Sequence, residues 1–153
     1  MRFIVDCMLG KLAKWLKILG FDALFFSKIE DDELIVIAKN EDRVLLTKDT
    51  RLIQQVKDVE TLYIKSDEWL DQVQQVLDNF NLRERVNPHT RCLDCNVVLK
   101  NLPKKNAKNL VSPFVFEKAD SFALCPNCGR VFWPGTHFKD MEVQIQEILK
   151  KKP

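Results

Sequence analysis

Four of the five cysteines form two matched pairs, and this feature constrains the fold more than any other part of the sequence. The pairs are Cys92-Leu93-Asp94-Cys95 and Cys125-Pro126-Asn127-Cys128, each with two residues between its cysteines. Two such pairs in one chain can enclose a tetrahedral Zn²⁺ with four thiolates. Gly129 follows the second pair, where a backbone able to take positive φ is needed. The sequence therefore predicts a zinc ribbon whose ligands are Cys92, Cys95, Cys125 and Cys128.

Two disulfides or four buried thiols are the alternatives to zinc. The chain opens with Met1-Arg2-Phe3 and no secretory signal, so an oxidising compartment is not indicated and we expect a cytoplasmic protein. Four thiolates would close the coordination sphere, so the zinc is expected to be structural and not catalytic. The remaining cysteine, Cys7, adjoins an apolar segment and is expected to be a small buried side chain.

Length and charge set further limits. A chain of 153 residues can bury one sizeable core, and a smaller appendage would need a metal to hold it together. Residues 1–88 carry a net charge of −3 and residues 89–153 a net charge of +5. No apolar run approaches the roughly 20 residues of a membrane span, so we expect no membrane contact.

Apolar residues alternate between strand-like runs and helical spacing over the first half of the chain. Phe3-Ile4-Val5 is typical of a buried strand, and the leucines from Leu9 to Leu19 recur at helical spacing until Gly20. The alternation repeats as far as Phe80, which predicts an α/β fold with a parallel sheet flanked by helices. We expect this domain to span residues 1–86, followed by residues 87–153 as a zinc ribbon with a C-terminal helix.

Acidic residues follow the predicted strands. Asp6 ends the first strand, Asp31 and Asp32 follow the second, and Asp49 follows the third. Ligands of parallel sheets bind beyond the carboxyl ends of the strands, and clustered carboxylates suit Mg²⁺ or Mn²⁺. Asp6, Asp31, Asp32 and Asp49 are therefore candidate catalytic residues of a metal-dependent phosphodiesterase, with Asp6 and Asp49 as ligands of Mg²⁺ or Mn²⁺.

Residues beside these acids are candidates for holding the substrate. Thr47 can orient a carboxylate or a phosphate through its hydroxyl, and Lys48 or Arg51 can hold a phosphate. Helix capping is the alternative interpretation for Asp31, Asp32, Thr47 and Asp49. Asp67, near the end of the fourth predicted strand, is either a further acid of the site or the N-cap of the next helix.

Four motifs in order resemble the Mut7-C ribonuclease family. They are the segment from Asp6 to Asp22, Leu46-Thr47-Lys48-Asp49, the segment from Cys92 to Asn96, and the segment from Cys125 to His137. The resemblance covers nearly the whole chain. It implies a PIN-like nuclease domain fused to a C-terminal zinc ribbon, with a metal-dependent ribonuclease activity. It also implies that Asp6 and Asp49 form the acidic pair, with Asp31 and Asp32 where PIN domains keep a further carboxylate.

RNA is the expected partner, and the basic segment between the cysteine pairs is the expected contact. Lys104, Lys105 and Lys108 lie there, where a lysine-rich loop can follow a phosphate backbone. The alternative function is a non-catalytic RNA-binding zinc-ribbon protein. The sequence leaves open whether two chains pair as a homodimer and whether an inhibitory or ribonucleoprotein partner exists.

Overall fold

A computed structural model describes residues 1–150 as two compact units. The first runs from Met1 to His89, and the second begins at Thr90. None of the helices in residues 1–150 is both long and apolar enough to cross a membrane.

The N-terminal unit is built on a four-stranded parallel sheet, which confirms the predicted α/β class. The strands are β1 (Arg2–Val5), β2 (Asp22–Phe25), β3 (Val44–Thr47) and β4 (Thr61–Tyr63). Their order in the sheet is β2-β1-β3-β4. All three neighbouring pairs are parallel, so every strand ends at the same edge.

Four helices connect and flank these strands. They are α1 (Gly10–Ile18), α2 (Asp31–Asn40), α3 (Thr50–Gln55) and α4 (Trp69–Asn79). Short 3-10 turns cover Cys7–Leu9 and Arg83–Arg85. Leu19 is the C-cap of α1, and Gly20 after it has a φ of 98°, which only a residue without Cβ adopts at little cost, so the helix ends before Gly20 as the sequence predicts.

Successive strand residues point to opposite faces of the sheet, and the two faces have separate cores. Ile4 and Leu45 are paired neighbours that pack with Leu34 of α2 and Leu52 of α3. On the other face, the Phe3 ring contacts the rings of Phe21 and Phe80, at centroid distances of 6.5 and 5.7 Å. Burying each large apolar side chain stabilises the fold by roughly 1.5–3 kcal/mol.

The C-terminal unit contains a three-stranded antiparallel sheet. Its strands are β5 (Lys100–Leu102), β6 (Phe122–Leu124) and β7 (Val131–Phe132), in that order. Two short helices, α5 (Lys104–Ala107) and α6 (Pro113–Lys118), connect β5 to β6. The last helix, α7, spans Phe138–Lys150, where the sequence predicts an amphipathic helix.

One residue departs from its expected environment. Cys7 was expected to be buried, but it is exposed. It lies two residues after Val5, the last residue of β1, and belongs to the 3-10 turn that leads the chain out of the sheet. The apolar segment therefore ends before Cys7.

Candidate functional site

Three acidic residues follow three neighbouring strands at the carboxyl edge of the parallel sheet. Asp6 comes directly after β1, and Asp49 comes two residues after β3. Asp31 opens α2, in the connection that leaves β2. Because β2, β1 and β3 lie side by side, these carboxylates come to one edge of the sheet from separate elements.

A chain of hydrogen bonds joins the ends of β1 and β3. The hydroxyl of Thr47 donates to Oδ2 of Asp6 at 2.7 Å and accepts the backbone N–H of Asp49 at 2.9 Å. The other oxygen of Asp6, Oδ1, accepts the backbone N–H of Cys7 at 2.7 Å. Asp6 is 5% exposed and Thr47 is fully buried, so the orientation of the Asp6 carboxylate is fixed by its partners.

Asp49 is the N-cap of α3, as the capping interpretation predicts. Its Oδ1 accepts the backbone N–H groups of Arg51 at 2.9 Å and Leu52 at 3.3 Å. Both bonds use the same carboxylate oxygen, so capping occupies one side of the group. Asp49 therefore caps α3 and also lies at the acidic edge.

The surroundings of Asp31 disfavour its ionised form. Partial loss of hydration, followed by the negative charges of Asp49 and Asp6, raises the pKa of the Asp31 carboxyl above its usual value, although the residue is exposed. This repulsion means that the three carboxylates share one electrostatic environment. A bound cation would relieve it.

The capping interpretation of Asp31 and Asp32 is wrong. The N-cap of α2 is Glu30, which makes no side-chain capping bond, and both aspartates lie in the first helical turn. Negative charge there interacts favourably with the helix dipole. Asp67 is likewise not the cap of α4, since Glu68 holds that position.

Lys48 is held by the loop after β4. Its ammonium donates to the carbonyls of Lys65 and Ser66, both at 3.2 Å, and pairs with Asp67 at 2.9 Å. Its side chain is 18% exposed, whereas that of Asp67 is 91% exposed. Arg51 is exposed on the first turn of α3. Lys48 therefore connects the ends of β3 and β4.

The four paired cysteines come together in the C-terminal unit. Their Sγ atoms all lie within 4.8 Å of one another, and those of Cys92 and Cys128 are 3.9 Å apart. Four sulfurs at about 2.3 Å from a tetrahedral zinc would be separated by about 3.8 Å. The donor set and its spacing therefore fit Zn²⁺, which Cys92, Cys95, Cys125 and Cys128 would hold. Among residues 1–150, no trio of acidic side chains meets the same spacing.

The two cysteine pairs have the same local geometry. The backbone N–H of Cys95 donates to Cys92 Sγ, and that of Cys128 donates to Cys125 Sγ, both at 3.4 Å. After each pair, one residue takes a positive φ, which is 61° at Asn96 and 77° at Gly129. The hydrogen bond from the Cys128 backbone, opposed by burial and assisted by the Asn127 backbone and the neighbouring thiols, lowers the pKa of Cys125 to about 7, which favours the thiolate that a metal requires.

Side chains from one pair also contact the other. The amide of Asn127 donates to Cys95 Sγ at 3.3 Å, and Arg130 forms an ion pair with Asp94. Groups that hydrogen-bond to ligating sulfurs fix the ligand positions. The cluster is therefore tied together by polar contacts in addition to its sulfurs.

The sequence profile of the Mut7-C RNAse domain covers residues 1–145. The chain belongs to the Mut7-C RNAse domain family. Neither a curated protein nor a solved structure shows a significant match to the chain. The family match includes both the acidic edge and the cysteine cluster, and it indicates a ribonuclease-type function with RNA as the substrate.

The basic residues predicted to contact RNA lie in the connection between β5 and β6 of this Mut7-C domain. Lys104 and Lys105 are in α5, and Lys108 follows it. The Lys104 ammonium lies 5.3 Å from the centre of the Phe116 ring, which is part of α6. Lys105 and Lys108 are exposed.

Sequence reasoning missed one feature of this connection. Phe114 in α6 is 69% exposed, although Val115 and Phe116 beside it pack against the core of the unit. The dipeptide Ser112-Pro113 carries the signal that was overlooked, because serine is a strong N-cap and proline is favoured in the first turn. That signal fixes the start of α6 and thereby the face on which Phe114 lies.

Proposed function

We propose that this Mut7-C protein is a Mg²⁺- or Mn²⁺-dependent ribonuclease that hydrolyses phosphodiester bonds of RNA at the acidic edge. In this proposal residues 1–86 form a PIN-like nuclease domain and residues 87–153 a zinc ribbon. The catalytic residues are Asp6, Asp31, Asp32 and Asp49, of which Asp6 and Asp49 would bind the catalytic metal.

The observation that carries the proposal is the pairing of Asp6 with Thr47. A buried carboxylate is costly unless its charge is compensated, and the two neutral donors to Asp6 compensate it only in part. The fold nevertheless keeps Asp6 there, with Asp49 and Asp31 close enough to raise the pKa of Asp31. Such an arrangement supports a cation site, because a cation offsets the repulsion.

The residues of the site have distinct roles in this proposal. A bound Mg²⁺ or Mn²⁺ would supply an activated water and neutralise charge on the phosphate. Asp6, held by Thr47 and the backbone of Cys7, offers a pre-oriented carboxylate. Asp49 offers the carboxylate of a helix cap, and Asp31 or Asp32 adds a further acid from α2. Thr47 acts on the reaction through Asp6.

Two basic residues near the acids, Lys48 and Arg51, are candidates for binding the substrate, and their surroundings differ. Arg51 is exposed beside Asp49 and suits contact with a phosphate. Lys48 makes bonds to the loop after β4, so we propose that it positions this loop at the rim of the site.

The C-terminal unit would bind RNA through the connection between β5 and β6. Lys104, Lys105 and Lys108 lie there and would neutralise phosphates. A zinc ion held by the four cysteines would stabilise this small unit, whose apolar core is limited. The protein is proposed to act in the cytoplasm, and the sequence leaves open whether it forms a homodimer or has an inhibitory or ribonucleoprotein partner.

A non-catalytic RNA-binding protein is the second candidate. The observation in its favour is that Asp49 caps α3, so this carboxylate has a structural role without any metal. In that case the acids would be structural and RNA would bind through the C-terminal unit alone.

Cleavage of labelled single-stranded and structured RNAs with Mg²⁺ or Mn²⁺ tests the proposal. Asp6→Asn and Asp49→Asn are the decisive variants because asparagine keeps the size of aspartate and remains a good N-cap. Cys7→Ser is the matched control, since it changes the residue beside Asp6 without removing a carboxylate. Zinc content and far-UV circular dichroism are measured for all proteins.

We expect metal-dependent cleavage by the wild type and by Cys7→Ser, and a loss of at least about 100-fold in both aspartate variants. RNA binding without cleavage in the wild type, unchanged in either aspartate variant, would instead support the non-catalytic alternative.

A further inference from the structure

Phe114 is the most exposed large apolar side chain in the described part of the chain, at 69%. An exposed phenylalanine forgoes the stabilisation that burial of its ring would give. Leu110, four residues earlier, is also exposed, at 57%. The connection between β5 and β6 therefore exposes two large apolar side chains, Leu110 and Phe114, which we call the Phe114 patch.

The fold holds Phe114 outward. The Ser112 hydroxyl caps α6 by accepting the backbone N–H of Val115 at 3.3 Å. Val115 and Phe116 then pack against a core that includes the fully buried Ala107. Because the neighbours of Phe114 are fixed in that core, rotating α6 to bury Phe114 would expose them.

One lysine lies against the ring of Phe114, and the surrounding sequence is rich in lysine. The ammonium of Lys118, one helical turn after Phe114, lies 5.9 Å from the centre of its ring. Residues 96–124 contain five lysines and two acidic residues. The lysines are Lys100, Lys104, Lys105, Lys108 and Lys118.

We propose that Phe114 stacks an unpaired base of single-stranded RNA while Lys118 and other lysines of residues 96–124 contact the flanking phosphates. An ammonium above a ring covers one face at most, so the other face can receive a base. Every base has a π face, so stacking on Phe114 would be tolerant of sequence. This inference deepens the RNA-binding role proposed for the C-terminal unit and rests on it.

The charge around the patch decides between two kinds of partner. Mixed charges would suit a protein partner, but residues 96–124 carry five lysines against two acids, one of which is Glu117 of α6, and this excess of positive charge favours a polyanion. A ring and lysines together match single-stranded RNA, whose bases and phosphates alternate along the strand. A duplex keeps its bases stacked on each other and would gain only the phosphate contacts.

The test is the affinity of the full-length, zinc-loaded Asp6→Asn protein for a fluorescein-labelled single-stranded 12-nucleotide RNA, measured by anisotropy without Mg²⁺ or Mn²⁺. We expect Phe114→Leu, which keeps an apolar side chain but removes the ring, to weaken binding about fivefold or more. Phe114→Trp should bind at least as tightly as phenylalanine, and its new indole fluorescence should be quenched by the RNA. Lys118→Gln should lower the slope of log Kd against log salt by about 0.7.

Leu110→Ala is the matched control, because it removes apolar area from the same patch without removing a ring. We expect it to change the affinity less than twofold, and we expect Phe114→Leu to leave the affinity for duplex RNA unchanged. If Phe114→Leu binds single-stranded RNA as tightly as the parent, the proposal is wrong. Equal losses in Leu110→Ala and Phe114→Leu would also overturn it, because they would indicate apolar adhesion without stacking.

The outcome is separable from that of the nuclease proposal. Binding is measured in a variant without a complete acidic edge, so it does not depend on cleavage. A protein that binds through Phe114 but never cuts RNA would refute the nuclease and support the stacking site. A protein that cleaves RNA but whose affinity for RNA is unchanged by Phe114→Leu would support the nuclease and refute the stacking site.

Discussion

The hydroxyl of Thr47 donates a 2.7 Å hydrogen bond to the carboxylate of Asp6, across two strands and 41 residues of sequence. Both residues are buried, so this bond is not exchanged for water without cost. It joins the end of β3 to the end of β1 at the acidic edge.

Removing the Thr47 hydroxyl should therefore affect stability and activity together. Thr47→Val keeps the shape of the side chain but leaves Asp6 Oδ2 without this donor, so we expect the free energy of unfolding to fall by about 1–3 kcal/mol. RNA cleavage should fall as well because Asp6 loses its orientation. Urea denaturation and cleavage rates check both effects. Thr47→Ser keeps a hydroxyl and should therefore retain most of the stability and most of the cleavage activity of the wild type. Losses as large as those of Thr47→Val would contradict the role of the hydroxyl in orienting Asp6.

Two substitutions of Asp49 should separate its cap from its proposed catalysis. Asp49→Ala removes the cap of α3 and should lower the free energy of unfolding by about 1 kcal/mol, whereas Asp49→Asn should stay within a few tenths of wild type. Both should lose metal-dependent cleavage because both lack the carboxylate. Urea titrations give the first comparison and cleavage assays the second. Full cleavage activity in Asp49→Asn would show that the Asp49 side chain caps α3 and has no catalytic role.

The raised pKa of Asp31 makes a prediction about pH. Because the folded state disfavours ionised Asp31, its contribution to stability is fully present below its unfolded pKa of about 3.9 and is lost as pH rises through the raised folded pKa. Asp31→Asn removes this loss. Without Mg²⁺ or Mn²⁺, the free energy of unfolding of the variant should therefore rise relative to wild type as pH increases from about 4 to 7.

Asp32→Asn is the control for that experiment, since it removes the same charge from the same helical turn. Asp32 contributes less than Asp49 or Asp6 to the raised pKa of Asp31, so we expect a smaller relative gain with pH than in Asp31→Asn, together with a small loss from the weaker interaction with the helix dipole. Adding Mn²⁺ should stabilise wild type more than Asp31→Asn. Parallel pH profiles for wild type and Asp31→Asn would contradict the repulsion between Asp31, Asp49 and Asp6.

The hydrogen bonds from Lys48 to backbone carbonyls should contribute more to stability than its ion pair with Asp67. Asp67 is 91% exposed, so its pair with Lys48 is expected to contribute less than about 0.5 kcal/mol. Lys48→Met leaves the carbonyls of Lys65 and Ser66 without this donor and should lower the free energy of unfolding by about 1 kcal/mol or more. Urea denaturation of Lys48→Met and Asp67→Asn makes the comparison. Equal losses would show that the ion pair carries the contact.

The C-terminal unit should require zinc for its folded structure, whereas the N-terminal unit should not. Cys95→Ser removes a ligand of the cysteine cluster, so we expect less than one zinc per chain and loss of amide protection in residues 90–150. The parallel sheet should keep its protection, because its core is independent of the cysteines. Metal analysis and hydrogen exchange measure both. Cys7→Ser, outside the cluster, should retain one zinc per chain.

The N-terminal unit could be predicted because its signals are local. Each strand is a short apolar run and each helix repeats its apolar residues within a few turns, so neighbouring residues are sufficient to define the element. The acids at the strand ends followed from the parallel topology. The sequence left open whether Thr47 orients a carboxylate or a phosphate, because its hydrogen bond to Asp6 depends on the register between β1 and β3.

The connection between β5 and β6 could not be predicted in the same way. Helix α5 has four residues and α6 has six, which is too short for helical periodicity to appear. Its core is assembled from residues far apart, such as Leu102 and Phe122, which face each other across two strands. The cysteine spacing, by contrast, predicted a cluster that tertiary structure then brought together.

The bond between Thr47 and Asp6 also makes the chemistry of this edge depend on how accurately the sheet assembles. Val5 pairs with Leu46, so Asp6 meets Thr47 at the next position of the ladder. A slip of one residue between the strands would turn the Thr47 side chain to the opposite face. A misregistered molecule would keep much of its strand and helix content while its carboxylate lost its donor. Spectroscopic folding and functional folding are thus separate quantities in this protein.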